Sequence, residues 1–192
     1  MASNNVHPNL TACEGISQTL FTEEELRIRV AELGAEITRD FAGLDLTVVA
    51  MLKGPVVFVC DLVRRIDLPL RMDFISISKF RKEGRASGIR ILKDLDCDVA
   101  GRHLLLVEDI IDTGLTTNYL IKNMQPRNPE SLSVCTLLDR RSIRIIDVPV
   151  RYRGFEVDQD YVVGYGLDCT ERYRALPFIA KLSHRPTQAP AE

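Results

Sequence analysis

A chain of 192 residues with 45% apolar composition is long enough for one domain with a buried core and too short for two ordinary domains. The formal net charge of −2 argues against a protein that coats nucleic acid or an anionic membrane, because such partners are met by a basic excess. The five cysteines are scattered and never arranged as C-x-x-C, so the sequence predicts no disulfide framework and no zinc site, and it favours the reducing cytoplasm.

The two ends of the chain are predicted to be flexible. Residues 1–20 are rich in Asn, Ser and Thr without periodicity, and residues 183–192 carry two prolines and no large apolar residue. One domain is therefore expected at residues 21–182. No apolar stretch approaches the roughly 18 residues that a membrane-spanning helix needs, so no membrane partner is expected.

The first elements are a helix, a buried strand and a second helix. Residues Thr22 to Glu25 form a T-x-x-E capping box, and apolar residues then recur at helical spacing as far as Phe41. The β-branched run at 46–52 predicts a strand buried on both faces, as in a parallel sheet. Gly54-Pro55 then opens a helix over 56–66, since proline suits the first helical position.

The rest of the chain alternates between strand and helix patterns. A polar stretch at 79–88 is predicted to be a mobile loop between two strands. The predicted strands lie at 70–78, 89–92, 103–107, 132–138, 148–155 and 161–167, with a helix at 113–124. This alternation predicts βαβ units and an α/β fold built on a parallel sheet.

The segment from Leu104 to Thr116 carries the chemistry. An apolar strand runs into Glu108 and Asp109, at the carboxyl end of a strand where open α/β sheets bind ligands. The following turn, from Asp112 to Thr116, combines a glycine, hydroxyls and the amides of a helix N-terminus, which are the parts of a phosphate-binding turn. Carboxylates beside such a turn can accept hydrogen bonds from sugar hydroxyls or hold Mg²⁺ through water. A ligand with a phosphate, a diol and a metal-bound diphosphate fits this arrangement.

Residues 107–116, Val-Glu-Asp-Ile-Ile-Asp-Thr-Gly-Leu-Thr, resemble the signature that binds phosphoribosyl pyrophosphate (PRPP) in type I phosphoribosyltransferases, in the form of the hypoxanthine-guanine branch. The resemblance covers about residues 20–180 and includes further motifs in order, at 52–54, 90–96, 162–168 and 171–177. It implies a Rossmann-like parallel sheet flanked by helices, with a small hood subdomain formed by the chain ends.

The resemblance also implies an activity, a cofactor and partners. Members of this branch transfer the phosphoribosyl group from PRPP to a 6-oxopurine base and release a nucleotide and pyrophosphate. The chain is accordingly expected to be a cytoplasmic purine salvage enzyme that uses Mg²⁺ and forms a homodimer or homotetramer. Nucleic acid and membranes are not expected as partners.

Roles for individual residues follow from the same resemblance. Asp112 is implied as the general base near N7 of the purine, although by itself it fits equally well as a helix cap. The resemblance implies that Glu108 and Asp109 contact the ribose hydroxyls and, together with Asp168, form the Mg²⁺ environment. It implies a 5′-phosphate turn of Thr113, Gly114, Leu115 and Thr116, and pyrophosphate contacts from Lys53, Gly54, Lys79 and Arg174. The implied purine pocket consists of Ile110, Arg140, Tyr161, Val162 and Asp168. The Lys53-Gly54 loop is one in which relatives often carry a cis peptide bond.

Two positions depart from the family pattern. Arg140 stands where the family has a lysine that donates to O6 of the base, and an arginine fork is not equivalent to an ammonium group. The preference among hypoxanthine, guanine and xanthine is therefore open. Lys79-Phe80 stands where Ser-Tyr is usual, so Lys79 adds a charge to the pyrophosphate site or the change alters closure of the loop.

Two other functions remain open at this point. One is a nucleotide-sensing regulator of the same fold that binds RNA through five arginines close together in sequence, namely Arg140, Arg141, Arg144, Arg151 and Arg153. The other is a phosphoribosyltransferase with an altered, purine-like acceptor. The net negative charge and the retained Asp112 favour the enzyme.

Overall fold

The computed structural model describes residues 15–80 and 88–183, which form two sheets and three α-helices. In chain order the elements are β1 Ile16–Phe21, α1 Glu23–Asp40, β2 Leu46–Leu52, α2 Val56–Val63, β3 Leu70–Phe80, β4 Gly88–Lys93, β5 His103–Ile111, α3 Leu115–Met124, β6 Ser131–Asp139, β7 Val150–Glu156, β8 Val162–Val163 and β9 Ile179–Leu182. Short 3₁₀ turns follow α3 and β6. Of the ends predicted to be flexible, residues 1–14 and 184–192 lie outside the described residues. The loop predicted at 79–88 is too long, because Lys79 and Phe80 belong to β3 and Gly88 to β4, and residues 81–87 lie outside the described part of the chain.

The main sheet has six strands in the order β4-β3-β2-β5-β6-β7. Strands β3, β2, β5, β6 and β7 are parallel to their neighbours, and β4 pairs antiparallel with β3 at one edge. The central β2 and β5 are apolar runs buried on both faces, as parallel strands covered by helices must be. The predicted Rossmann-like α/β sheet is confirmed.

Alternate residues of the central strands pack into two separate hydrophobic clusters. Val48 and Val107 point toward the cluster that contains α1 and α2, whereas Val49 and Leu106 point toward the cluster that contains α3. Because successive side chains of a strand point to opposite faces, this alternation places Glu108 on the α3 face and Asp109 on the face of α1 and α2. It reverses at the end of β5, where Ile110 packs against the α1 and α2 cluster and Ile111 lies in the α3 cluster.

Helix α1 begins with the predicted capping box. The Thr22 amide donates to Glu25 Oε2 at 2.8 Å, and the Glu25 amide donates to Thr22 Oγ1 at 3.3 Å. Its buried residues recur at the predicted spacing as Leu26, Val30, Leu33 and Ile37. The helix therefore lies with one apolar stripe on the sheet.

A second, three-stranded sheet is formed by the two ends of the described chain. Strand β9 pairs antiparallel with both β1 and β8, which gives the order β1-β9-β8. The hood subdomain is thus present. However, residues 16–20 form part of β1, so the boundary predicted at residue 21 falls inside a strand. Its partner, β9, lies about 160 residues away in sequence, and local composition could not reveal that pairing.

Three further boundaries differ from the sequence prediction. Strand β5 continues to Ile111, past the expected end at 107, so its two carboxylates lie within the strand. Helix α3 begins at Leu115 because Gly114 has φ of 80°, a left-handed conformation outside the helix. The strand expected at 161–167 reduces to Val162–Val163, since Gly164 and Gly166 have φ near 98° and 97° and turn the chain. Within the described residues, no helix is long and apolar enough to cross a membrane.

Candidate active site

Three loops meet at the carboxyl edge of the main sheet, after strands β2, β5 and β6. The parallel pairing brings the end of β2 beside that of β5, with Ala50 opposite Val107, and the end of β6 beside that of β5, with Asp139 opposite Ile111. Side chains that are far apart in sequence are therefore collected at one edge, as expected for an open α/β sheet.

The turn from Asp112 to Thr116 has the shape that the sequence predicts. Gly114 is the N-cap of α3 and has no side chain to occupy the helix N-terminus, so the first amides of α3 are presented to a ligand. The Asn118 amide donates to the Gly114 carbonyl at 2.9 Å and closes the first helical turn. A helix N-terminus of this kind binds phosphate through its amides and its positive dipole.

The adjacent carboxylates of Glu108 and Asp109 point to opposite faces of the sheet. Glu108 is 1% exposed and lies beside Thr117 of α3, whose hydroxyl is 3.5 Å from Glu108 Oε1. Asp109, one residue on, faces the side of the sheet that carries α2 and lies directly against Gly54, where a Cβ atom would overlap its carboxylate. The two are neighbours in sequence, but the strand that continues through them separates their directions.

Burial raises the pKa of Asp109 to about 6, although the Ile110 amide, which donates to Oδ1 at 2.8 Å, works in the opposite direction. This carboxyl group therefore changes its charge close to neutral pH.

The implied general base and the implied purine donor are in contact. Arg140 donates from NH1 to Asp112 Oδ1 at 2.9 Å, and its NH2 donates to the main-chain carbonyl of Asp160. The side chain of Arg140 is only 11% exposed, whereas that of Asp112 is 46% exposed. The arginine is thus fixed in place, and the carboxylate beside it is open to a ligand.

The remaining purine-pocket residues lie nearby in the hood. Val162 is buried in β8, and Tyr161 packs partly against the small cluster that contains Val163 and Leu182. The Tyr161 hydroxyl lies 3.4 Å from the Asp168 carbonyl. Arg140, which directly follows β6, reaches this segment through the Asp160 carbonyl, so the structure brings it close to the predicted pocket residues of the hood.

The loop after β2 meets the turn at 164–174. The Leu52–Lys53 peptide bond is cis, and the Lys53 ammonium lies 3.2 Å from Glu171 Oε1. Arg174 donates to the Gly166 carbonyl at 2.9 Å and pairs with Asp168 at 2.9 Å and with Glu171 at 3.3 Å. The two cations assigned to pyrophosphate thus converge on Glu171, which the sequence prediction missed. The side chain of Lys79 lies outside the described part of the chain.

The predicted metal ligands do not form a protein cage. Among residues 15–80 and 88–183, no group of three His, Cys, Asp or Glu side chains is close enough to hold an ion. Mg²⁺ commonly binds through one or two carboxylates together with water and substrate phosphates, so the residues present fit an ion that arrives with a diphosphate. Asp109, whose carboxylate lies against Gly54, and Asp168 are the candidates, whereas Glu108 is buried beside Thr117 of α3.

The arginines that suggested RNA binding are engaged within the protein. Four of the five pair with carboxylates: Arg140 with Asp112, Arg144 and Arg153 with Asp139, and Arg151 with Asp40. Since a basic patch that binds phosphate backbones needs available cations, this pairing removes the main observation in favour of an RNA-binding regulator.

Comparisons of the sequence and of the structure with known proteins all find phosphoribosyltransferases. The family described as the phosphoribosyl transferase domain matches residues 17–170. The hypoxanthine-guanine phosphoribosyltransferase of Mycobacterium avium is 47% identical over 180 residues, covering 90% of this chain and 89% of the relative. That of Bacillus subtilis is 44% identical over 168 residues, covering 87% and 93%. A crystal structure of a hypoxanthine-guanine phosphoribosyltransferase from Bacillus anthracis superposes with a TM-score of 0.83 at 42% identity, covering 88% of this chain and 99% of that one.

Proposed function

The chain belongs to the phosphoribosyl transferase family, and from that premise we propose that it joins the phosphoribosyl group of PRPP to hypoxanthine or guanine in purine salvage. The observation that carries the proposal is the contact between Asp112 and Arg140 beside the N-terminus of α3. This contact supports the proposal because it holds an exposed carboxylate beside a hydrogen-bond donor and next to a helix N-terminus, which suit a base, a donor to a 6-oxo group and a phosphate site.

The phosphoribosyl half of the site is assigned to the turn at 112–116. The amides of Thr113 to Thr116 hold the 5′-phosphate, supported by the open N-terminus of α3. The family resemblance assigns the ribose hydroxyls to Asp109 and to Glu108, which is buried beside Thr117 of α3. This orientation leaves C1 of the ribose facing Asp112 and the loop of Lys53 and Gly54.

The diphosphate is assigned to the loop after β2 and to Arg174. Mg²⁺, when bound with PRPP, supplies positive charge that stabilises the departing pyrophosphate. Lys53 and Arg174 add cationic groups on the same side, and they exchange Glu171 for the phosphate oxygens when the substrate enters. Displacement at C1 then joins the base to the sugar.

Proton removal from the purine is assigned to Asp112. Its exposed carboxylate accepts the proton from the ring nitrogen, while Arg140 donates to O6 and so orients the base. Tyr161 stacks on the ring, Ile110 and Val162 border it, and Asp168 lies at its edge. The family resemblance also assigns Lys79, near the end of β3, to the pyrophosphate.

A panel of bases with PRPP and Mg²⁺ tests this function. We expect pyrophosphate release with hypoxanthine and guanine, and kcat/KM for adenine lower by on the order of 10³ or more, because Arg140 presents a donor to the 6-position and adenine has a donor there too. The rank of xanthine shows whether the arginine fork alters the acceptor.

Arg140→Met is the matched variant for this panel, because methionine has a comparable length and no donor. It should slow the reaction of hypoxanthine and narrow its advantage over adenine. If no base in the panel released pyrophosphate, catalysis would be refuted in favour of nucleotide sensing.

Assembly and location complete the proposal. A homodimer or homotetramer follows from the family resemblance. A cytoplasmic location is supported by the four cysteines of the described chain, Cys60, Cys97, Cys135 and Cys169, which are free thiols.

A further inference from the structure

The segment that follows β6, residues 140–146, lies directly against the phosphate-binding turn. The amides of Ile145 and Ile146 both donate to the Thr113 carbonyl at 3.0 Å, and the Arg140 amide donates to the Ile111 carbonyl at 3.0 Å. Three main-chain hydrogen bonds therefore join two stretches of chain that are about 30 residues apart in sequence. The turn does not hold its shape through local contacts alone.

Arg144 is the side chain at the centre of this contact. Its Nε donates to the Asp112 carbonyl at 2.9 Å, and its NH2 lies 3.3 Å from the Ile111 carbonyl. The same NH2 pairs with Asp139, which is 1% exposed, and the side chain of Arg144 is itself only 12% exposed. One planar guanidinium thus connects a buried carboxylate to two consecutive carbonyls of the site. A lysine, with a single ammonium group on a flexible chain, cannot make the same set of directed contacts.

The packing around Gly114 shows how close this segment is to the turn. A Cβ atom at Gly114 would overlap the Ile146 carbonyl and would lie 2.9 Å from Cδ of Arg144. The glycine is therefore required both by its left-handed φ and by the segment beneath it. Arg144 therefore lies next to the turn as well as in hydrogen-bond contact with the residues that lead into it.

We propose that Arg144, anchored by Asp139, is a positioning residue that fixes the main chain of Asp112 and the shape of the phosphate-binding turn. Arg140 holds the carboxylate of Asp112 from the same segment, so the side chain and the main chain of the general base are set by neighbouring arginines. The proposal rests on the proposed function, because it assigns a role in that same site. Arg144 itself touches no reacting atom.

Arg144→Lys tests the proposal, with Arg153→Lys as its matched control. Both arginines pair with Asp139, and Arg153 does so through Nε at 2.6 Å. Both variants keep a cation beside the buried carboxylate, but only Arg144 also contacts the site. Comparing the two separates loss of positioning from damage to a shared ion pair.

We expect Arg144→Lys to lower kcat about tenfold and to raise KM for PRPP, since misplacement by about 1 Å can cost up to 10²-fold, while Arg153→Lys leaves kcat within about twofold of the parent. Thermal midpoints measured in parallel report how far each variant weakens the fold. Equal effects of the two variants on kcat, or parental kinetics for Arg144→Lys, overturn the proposal. A parent that forms no nucleotide overturns the proposed function itself, and this inference with it.

Ile145→Pro provides a test that leaves the buried ion pair intact. It deletes one amide that donates to the Thr113 carbonyl, the Ile145 side chain is 70% exposed, and Arg144 is extended with ψ of 125°, as a residue before proline should be. Because the Thr113 carbonyl then keeps only the hydrogen bond from the Ile146 amide, the turn is held less firmly, and KM for PRPP should rise about threefold or more. An unchanged KM would contradict the bracing role even if Arg144→Lys failed to fold.

Discussion

Replacing Asp112 by asparagine should lower kcat by about 10²-fold or more, because general-base catalysis typically contributes about 10² to 10⁴. Asparagine keeps the size of the side chain and can still accept from Arg140, so the pocket should retain its shape. It cannot take a proton from the purine. The KM for PRPP should change little, since PRPP is held by the main-chain amides of the turn and not by this carboxylate. Steady-state formation of nucleotide from hypoxanthine measures both constants.

Asp40→Asn is the control for this substitution. Asp40 also pairs with an arginine, Arg151, at 2.8 Å, and accepts from the Tyr152 hydroxyl at 3.0 Å, but it lies at the end of α1 and contacts the first residues of β7, at the opposite edge of the sheet. Asp40→Asn therefore measures the general effect on activity of removing a carboxylate from an ion pair outside the site. Parental turnover in Asp112→Asn, or an equal loss in Asp40→Asn, would remove Asp112 from its catalytic role.

Gly166→Ala should disable the pyrophosphate side of the site. Gly166 has φ of 97°, and a Cβ atom there would overlap the main-chain carbonyl of Gly54, which cannot move aside as the end of a flexible side chain would. The substitution therefore displaces the loop that carries Lys53. We expect a loss of about 2–4 kcal/mol in the free energy of unfolding, from left-handed strain and overpacking together, and a KM for PRPP raised about tenfold or more.

Gly43→Ala separates the effect of left-handed strain from the effect of overpacking. Gly43 has a similar φ of 76°, but no atom lies within 4 Å of a Cβ built there. It should lose only the left-handed strain, about 1 kcal/mol, with unchanged kinetics. Chemical denaturation and PRPP kinetics on both variants give the comparison, and similar kinetics in the two would show that the contact between Gly166 and Gly54 does not shape the pyrophosphate site.

Local sequence patterns predict most of the fold. The capping box at Thr22 and the helical spacing that follows it set α1, and the doubly buried runs at β2 and β5 indicate a parallel sheet. Both signals depend on near neighbours in sequence. In contrast, β1 exists because β9 pairs with it, and no property of residues 16–21 alone indicates that partner.

The candidate site is predictable only in part, and the limits have physical causes. The turn at 112–116 follows from a glycine and hydroxyls after a strand, but the opposite directions of Glu108 and Asp109 depend on where β5 ends. Adjacent charges favour an end of the strand at 107, whereas tertiary pairing with β6 carries it on to Ile111. The sequence alone does not distinguish Arg144 from the other basic residues nearby, because its contact with the Asp112 carbonyl forms only in the folded chain.

A crystal structure with PRPP and Mg²⁺ bound tests the assignment of the phosphate-binding turn. The 5′-phosphate should lie on the amides of Thr113 to Thr116, with the ribose hydroxyls toward Asp109 and the diphosphate at Lys53 and Arg174. Density for the sugar phosphate elsewhere on the protein, with the turn at 112–116 vacant under saturating ligand, would contradict both the substrate assignment and the roles derived from it.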